Sequence, residues 1–557
     1  MQDTQQSPSI WASWRHFSTF SLLIGVCFFA LSLTPSLIPR SFWLQGILGG
    51  LVMALGYMLG QFVLWLWRFM QLPTLPPGKL RQFIQGVLFL LAAALAVYFL
   101  YRSTGWQNAM REHVGMPPVE AFNPWLIALI AAVTFAVLVF IGWLVQLFFN
   151  GVRRVMYHLM PERTANVLGF VTALVLLLLF TNETAVRAFF DFADRSYGKA
   201  SALFDPDVPQ PTASQKTGSP ASLVKWDEMG RWGRDFVATG PDAAAISEFT
   251  GRKAKDPIRV YVGLESADTA EDRAELAYQE MLRTGAFERE VLVVAIPVGS
   301  GWLDRGSHTP LEYMHNGDIA TVGVQYSYLT SWISIAFEAR TGLDQAVALF
   351  DKVYAHWTNM PKDKRPKLYM HGLSQGSWAS MYSFNYFKMA SDPVDGALWV
   401  GPPFISTLWN DLTQQRNSDS LYRLPTVGDG SIVRFTNQSG EHLKTTDKPW
   451  GSLRLVFLQY GSDPIVFYEP QSLYREPLWM QEKPAPDVSP ELQWYPVVTM
   501  MQLALDLAMA LNVPEGYGHY YVADDYIDAW VAVTDPPNWS EEDTKRLQAK
   551  FADFEGW

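Results

Sequence analysis

The chain has 557 residues, 49% of them hydrophobic and only 17% charged, against about 25% charged in an ordinary soluble protein. A net charge of −11 argues against a nucleic-acid partner, which needs a basic face. The single cysteine, Cys27, excludes both a disulfide framework and a cysteine-based zinc site. Residues 1–165 hold ten Lys and Arg against four Asp and Glu, a net of +6, while the remainder carries −17. The first third reads as a membrane region and the rest as a large water-soluble part.

Five apolar runs meet the requirement of about 20 residues for crossing a bilayer. They extend over Phe17–Ser36, Phe42–Trp67, Phe83–Tyr101, Trp125–Phe149 and Ala165–Thr181. Ala30-Leu31-Ser32 loosely fits a signal-peptide cleavage site. The four runs that follow, and the lone Arg15 before the first, favour an uncleaved helix. Arg68, Lys79 and Arg81 share one side with Arg153, Arg154, Arg163 and Arg15, and the excess of basic residues makes that side cytoplasmic. Five crossings then place everything after Thr181 outside. The expected location is the inner (cytoplasmic) membrane, multi-pass, with the soluble part periplasmic or extracellular. Gly49, Gly50, Gly56 and Gly60 read as close helix packing.

The expected division is a membrane domain over 1–190, a linker over 191–225 and a soluble domain over 226–557. The linker contains DPDVPQPTASQKTGSPAS (205–222), too polar to bury a core and read as a tether. The soluble domain alternates strand-like and helix-like runs. Strands are predicted at 258–264, 291–298, 320–329, 367–372, 396–401 and 453–461, with helices at 271–285 and 340–356. This alternation indicates a mostly parallel sheet with helices on both faces. Such sheets carry their sites at the C-terminal ends of the strands.

At the end of the 367–372 strand, Gly372, Ser374 and Gly376 form G-x-S-x-G, with a helix-compatible segment after them. In a strand-to-helix turn the serine is strained and exposed, and the flanking glycines remove clashes. A catalytic set in that order needs an acid next and then a histidine. Asp463 follows the 453–461 strand, where it reads either as that acid or as a helix-capping aspartate before Pro464. His519, in Gly516-Tyr-Gly-His519, is the one histidine downstream of Asp463. His442 precedes the acid, and His371 lies on the nucleophile strand, facing away from the base position. An oxyanion hole needs two backbone N–H groups. Gln375 offers one, and the Ser300, Gly301, Trp302 loop either offers the other or is a plain glycine turn.

Long segments at 402–450 and 464–514 flank this set as lid-like insertions. The second contains VVTMMQLALDLAMAL (497–511), readable as a core helix or as a cap over an apolar channel. Leu373, Tyr326, Tyr328 and Trp332 are candidate pocket residues. No metal or cofactor is expected, because no ligand-spaced cluster or phosphate loop is present. The expected partners are the lipid bilayer and an ester substrate, not nucleic acid.

With SLTPSLIPR (32–40), WDEMGRWGRDFV (226–237), RVYVGLESA (259–267), GSGWLD (299–304), LEYMHNGDIATVGVQYSYLTSWIS (311–334) and GLSQG (372–376), the chain resembles alpha/beta-hydrolase family 9. The resemblance spans nearly the whole chain and implies a multi-helix membrane domain joined to an α/β-hydrolase domain. It also implies a nucleophile at Ser374 with Asp463 and His519 as partners. One departure is visible: the family's elbow centres on Glu-Ser-Leu, whereas this chain has Leu373-Ser374-Gln375. Some members resemble hydrolases of aminoacylated membrane lipids. The expectation is a membrane-anchored serine carboxylester hydrolase acting on a lipid-borne ester. An acyltransferase using the same residues and a non-catalytic membrane scaffold are its alternatives.

Overall fold

The computed structural model describes residues 18–157, 208–329, 339–443 and 448–552, with isolated positions 164, 168, 171, 172, 175 and 554. It divides into two compact units. One comprises Met1–Ala185 with Glu469–Met509, the other Val186–Tyr468 with Ala510–Trp557.

In the first unit the described helices are α1 (Thr19–Ser32), α2 (Phe42–Phe69), α3 (Lys79–His113) and α4 (Pro124–Tyr157). Among the described residues three helices, not five, are long and apolar enough to cross a membrane: α2, α3 and α4. At 14 residues, α1 spans about 21 Å, short of the ~30 Å hydrocarbon layer. It stops before Pro35, where the Ser32 and Thr34 hydroxyls turn back onto the carbonyls of Phe29 and Leu31, each at 2.7 Å. The fifth run, 165–181, lies outside the described residues except at 168, 171, 172 and 175. The glycines of α2 do pack closely. A Cβ on Gly50 would come within 2.5 Å of the Thr134 Cβ, and one on Gly60 within 2.7 Å of the Ser21 Cα.

The body of the 464–514 insertion, Glu469–Met509, belongs to the membrane unit. Its apolar run forms an insertion helix, Val498–Ala508. Val498 is buried in a cluster with Leu48 and Val52 of α2. The buried side of this helix thus joins the core of the membrane unit.

The second unit is built on a seven-stranded sheet in the order β1-β3-β2-β4-β5-β7-β6, parallel throughout. The strands are β1 (Ile258–Val262), β2 (Val291–Ile296), β3 (Ile319–Val324), β4 (Lys367–Leu373), β5 (Gly396–Val400), β6 (Val433–Thr436) and β7 (Arg454–Leu458). Six match the sequence expectation. The edge strand β6 does not announce itself, having four residues in a polar stretch. It makes the 402–450 segment part of the sheet.

The helices that matter for the site are α5 (Ala270–Thr284), α6 (Arg305–Met314), α7 (Ala339–Asn359), α8 (Gln375–Ser383) and α9 (Ala523–Thr534). His371 pairs in register with Leu398, and Gly372 with Trp399; neighbouring positions on a strand face opposite ways. His371 reaches Ser307 of α6, while the Trp399 indole donates to Ser380 of α8 at 2.9 Å. Helices therefore cover both faces, as a sheet this apolar requires.

Residues 208–222, read as a solvated tether, are instead docked. The Ser222 hydroxyl and the Leu223 N–H donate to the buried Glu280 of α5 at 2.7 and 3.0 Å. Burial alone would raise the Glu280 pKa; Arg283 and these two donors outweigh it and hold the group lowered. Polar composition hid this, because the segment is anchored by hydrogen bonds and not by apolar burial.

Candidate active site

The turn after β4 has the geometry that G-x-S-x-G demands. Ser374 sits at φ 55°, ψ −126°, a conformation that costs a non-glycine residue of order 1–3 kcal/mol and persists only where surroundings enforce it. Here they do. The Ser374 N–H donates to the Val400 carbonyl at 2.9 Å, and the Ser377 hydroxyl closes back on the Ser374 carbonyl at 2.7 Å. A Cβ on Gly372 would overlap the backbone of Gly376 and Ser377, and one on Gly376 would overlap the carbonyl of Ile296 on β2. Both glycines are fixed by space.

Asp463 lies five residues beyond the end of β7 and is fully buried. Its two oxygens have different partners. Oδ1 accepts the Ile465 N–H at 2.8 Å, capping the helical turn Pro464–Phe467. Oδ2 accepts from His519 Nδ1 at 2.7 Å and from the Tyr521 hydroxyl at 2.7 Å. Burial and the adjacent carboxylate raise the Tyr521 phenol pKa far above normal, so it stays a donor.

His519 rides on a tight loop. Gly516 and Gly518 take φ of 83° and 56°. The Gly518 N–H donates to Ser462 Oγ at 2.9 Å, and the His519 N–H donates to the Ala510 carbonyl at 2.9 Å. The imidazole packs on Gly401, the residue after β5, where a Cβ would lie 2.6 Å from His519 Cε1. Gly401 in turn follows Val400, whose carbonyl holds the Ser374 backbone. With Nδ1 engaged by Asp463, Nε2 is buried and has no hydrogen-bond partner among the described residues. A neutral imidazole in this tautomer presents a base lone pair at Nε2.

The loop after β2 is braced from below. The Tyr261 hydroxyl of β1 donates to the Gly301 carbonyl at 2.6 Å, and Gln325 Nε2 donates to the Ser300 carbonyl at 3.0 Å. Gly301 stands at φ 92°. Its N–H donates to the Val298 carbonyl at 2.8 Å, so among the loop's oxyanion candidates Gly301 is already engaged. Asp304 caps α6 through the Gly306 N–H at 2.8 Å and accepts from the Tyr526 hydroxyl at 2.9 Å. Burial pushes its pKa up to about 7.

The remaining candidates have separate surroundings. Leu373 is buried at the end of β4, Tyr326 is buried against Gly342, and Tyr328 donates to Glu265 at 2.9 Å. Trp332 lies outside the described residues. His371 faces away from the Ser374 turn, as expected, bonding Ser307 at 3.0 Å and the Leu398 carbonyl at 2.8 Å. Burial lowers its pKa to about 4. A cavity of about 570 Å³ opens at the opposite end of the sheet, by the start of β1, between Lys216, Asp256 and Arg289; it is remote from this constellation. Sequence reasoning missed Tyr521, Ser462, Tyr261 and Gln325, because these partners are 25 to 61 residues away and no spacing rule joins them.

A parallel sheet with a strained serine turn at one strand end, and an Asp–His pair near that end, defines an α/β-hydrolase domain. The comparisons agree: residues 258–547 match the model of the Alpha/beta-hydrolase family, and residues 33–241 match the Alpha/beta-hydrolase family N-terminus. The chain belongs to alpha/beta-hydrolase family 9, and a hydrolase-type function follows from that membership. No curated protein and no solved structure matches the chain.

Proposed function

We propose that this chain is a membrane-anchored serine carboxylester hydrolase that cleaves lipid-borne esters through an acyl-enzyme. Ser374 Oγ attacks the ester carbonyl, and His519 Nε2 takes the serine proton and returns it to the leaving alkoxide. Asp463 holds the imidazole in the required tautomer and stabilises its protonated form. The Gln375 N–H, with a donor from Ser300 or Trp302, stabilises the oxyanion. Water then releases the acid by the same proton path. The observation that carries this reading is the unpartnered, buried Nε2 of an imidazole fixed by Asp463 and seated on Gly401. Nucleophile–base contacts are often long before substrate arrives.

The lipid assignment draws on the membrane unit. The segment between Asp463 and His519 packs on the α1–α2 connection and on the end of α3. Gln502 reaches the Ser32 and Thr34 carbonyls, Glu491 accepts from the Trp106 indole at 2.8 Å, and His113 meets the Pro486 carbonyl at 2.9 Å. That end of the helices is opposite to Arg68, Lys79 and Arg81. Basic loops mark the cytoplasmic side, so the reading puts the catalytic domain outside, in a periplasm or at the cell surface. An acylated or aminoacylated lipid at the same surface is the substrate class this favours, since anchoring concentrates enzyme and lipid together.

Labelling isolated membranes with a fluorophosphonate probe tests the chemistry. Wild type should label, and Ser374→Ala and Ser374→Cys should not. A folded wild type that stays unlabelled with and without added lipid would overturn the reading in favour of a scaffold.

A further inference from the structure

The SLTPSLIPR run has no part in the proposed chemistry, yet it is densely hydrogen-bonded. Arg40 Nε donates to Asp506 Oδ1 of the insertion helix at 2.9 Å, with both side chains 0% exposed. The Leu37 N–H donates to the other carboxylate oxygen at 3.1 Å. Arg40 is completed by Gln45 Oε1 at 3.0 Å, by Ser36 Oγ, and through its backbone N–H by Gln107 Oε1 at 3.1 Å.

A buried ion pair seldom stabilises a fold more than apolar residues of similar volume; its best-attested use is to fix one register. The apolar contacts of the insertion helix with Leu48 and Val52 would tolerate sliding, but the carboxylate of Asp506 would not. The start of that helix also carries strain. Val497 sits at φ 67°, ψ −50°, and the Val498 N–H bonds the Pro496 carbonyl at 2.7 Å, a γ-turn rare for any residue and an outlier for a β-branched one. Desolvation and strain are both tolerated to hold this helix in one place.

That place is close in sequence to the base. The Met509 N–H caps the helix by donating to the Asp506 carbonyl at 3.0 Å. The next residue, Ala510, is where the chain re-enters the hydrolase unit, and its carbonyl accepts the His519 N–H at 2.9 Å. We propose that Arg40 and Asp506 are positioning residues for the hydrolase reaction: by registering the insertion helix on the α1–α2 connection they fix Ala510, and through it the His519 loop. The inference rests on His519 being the general base.

The test uses the full-length protein in membranes, reading fluorophosphonate labelling rate and short-chain ester turnover per folded molecule. Asp506→Asn should lower labelling rate and kcat by tenfold or more with KM little changed. The double variant Arg40→Met with Asp506→Leu leaves no buried charge unpaired but removes the register-fixing contact, so it should keep most of that loss; full recovery would trace the Asp506→Asn effect to an unpaired charge and overturn the proposal. Two glycines inserted between Met509 and Ala510 leave the ion pair intact but decouple it, and should cost a similar factor. If Asp506→Asn fails to fold, this insertion decides alone. Wild-type rates in the glycine-inserted protein, or in folded Asp506→Asn, would overturn the proposal. An unlabelled wild type would overturn the hydrolase reading itself, a distinguishable failure.

Discussion

Among the described residues, Asp506 and Asp463 each centre a buried pair, and the two pairs differ in what they leave open. In the membrane unit, the Asp506 carboxylate and Arg40 hydrogen-bond, among the described residues, to each other and to Leu37, Ser36, Gln45 and Gln107. In the hydrolase unit, Asp463 is equally enclosed, but the histidine it holds keeps one nitrogen without a partner. A buried polar atom with no hydrogen bond costs about 1–3 kcal/mol, so a fold built for stability alone would have filled it. On the function proposed above, the closed pair fixes position and the open pair retains a valence for chemistry.

This contrast predicts large effects on turnover at the open pair without loss of fold. Asp463→Asn should keep the Ile465 cap but offer the imidazole the wrong tautomer, lowering kcat by on the order of 10⁴. Steady-state ester kinetics with a melting curve would check it; a parallel fall in melting temperature and rate would make the pair merely structural. Gly401→Ala should come next. Its methyl would meet His519 Cε1 at 2.6 Å at a position with φ 50°, and displacing a catalytic group by about 1 Å costs on the order of 10². Tyr521→Phe removes one of the donors to the Asp463 carboxylate, and about a tenfold loss in kcat is expected from a hydrogen bond to a charged group.

How much of this was legible before folding depends on the kind of signal. Strands β1 to β5 and β7 were readable because parallel strands buried on both faces are continuous apolar runs. The Ser374 turn was readable because Gly372 and Gly376 are dictated by local overlap, which leaves a fixed spacing in sequence. Asp463 and His519 followed from chain order. The allegiance of residues 469–509 was not legible. VVTMMQLALDLAMAL reads as an apolar helix whatever it packs on, and only the partner of Asp506, 466 residues away, reveals which core it joins. The docking of 208–222 was hidden for the converse reason, since polar residues bonded to a buried Glu280 look the same in sequence as polar residues in water.

A third enclosed carboxylate sharpens the comparison. Asp304 is buried like Asp463 and Asp506, but among the described residues its carboxylate accepts hydrogen bonds from the neutral donors Tyr526 and Gly306 and from no cation or imidazole, and the charge of Arg305 offsets burial only in small part. Burial raises its pKa from 3.8 to about 7. The folded state then binds a proton that the unfolded chain releases, so stability falls as pH rises from about 4 through about 7. Over the interval from pH 6 to pH 8 that loss is about 1 kcal/mol, or roughly 2–4 °C in melting temperature for a domain of this size. Asp304→Asn keeps an oxygen for the Gly306 N–H and has no proton to lose, so its melting temperature should fall less over the same interval. Asp525, also raised to about 7 by burial, titrates in both proteins and cancels in the difference. Parallel melting curves for the two proteins across that range would mean that Asp304 is ionised in the fold. Burial without a cation would then not be what separates it from Asp506 and Asp463.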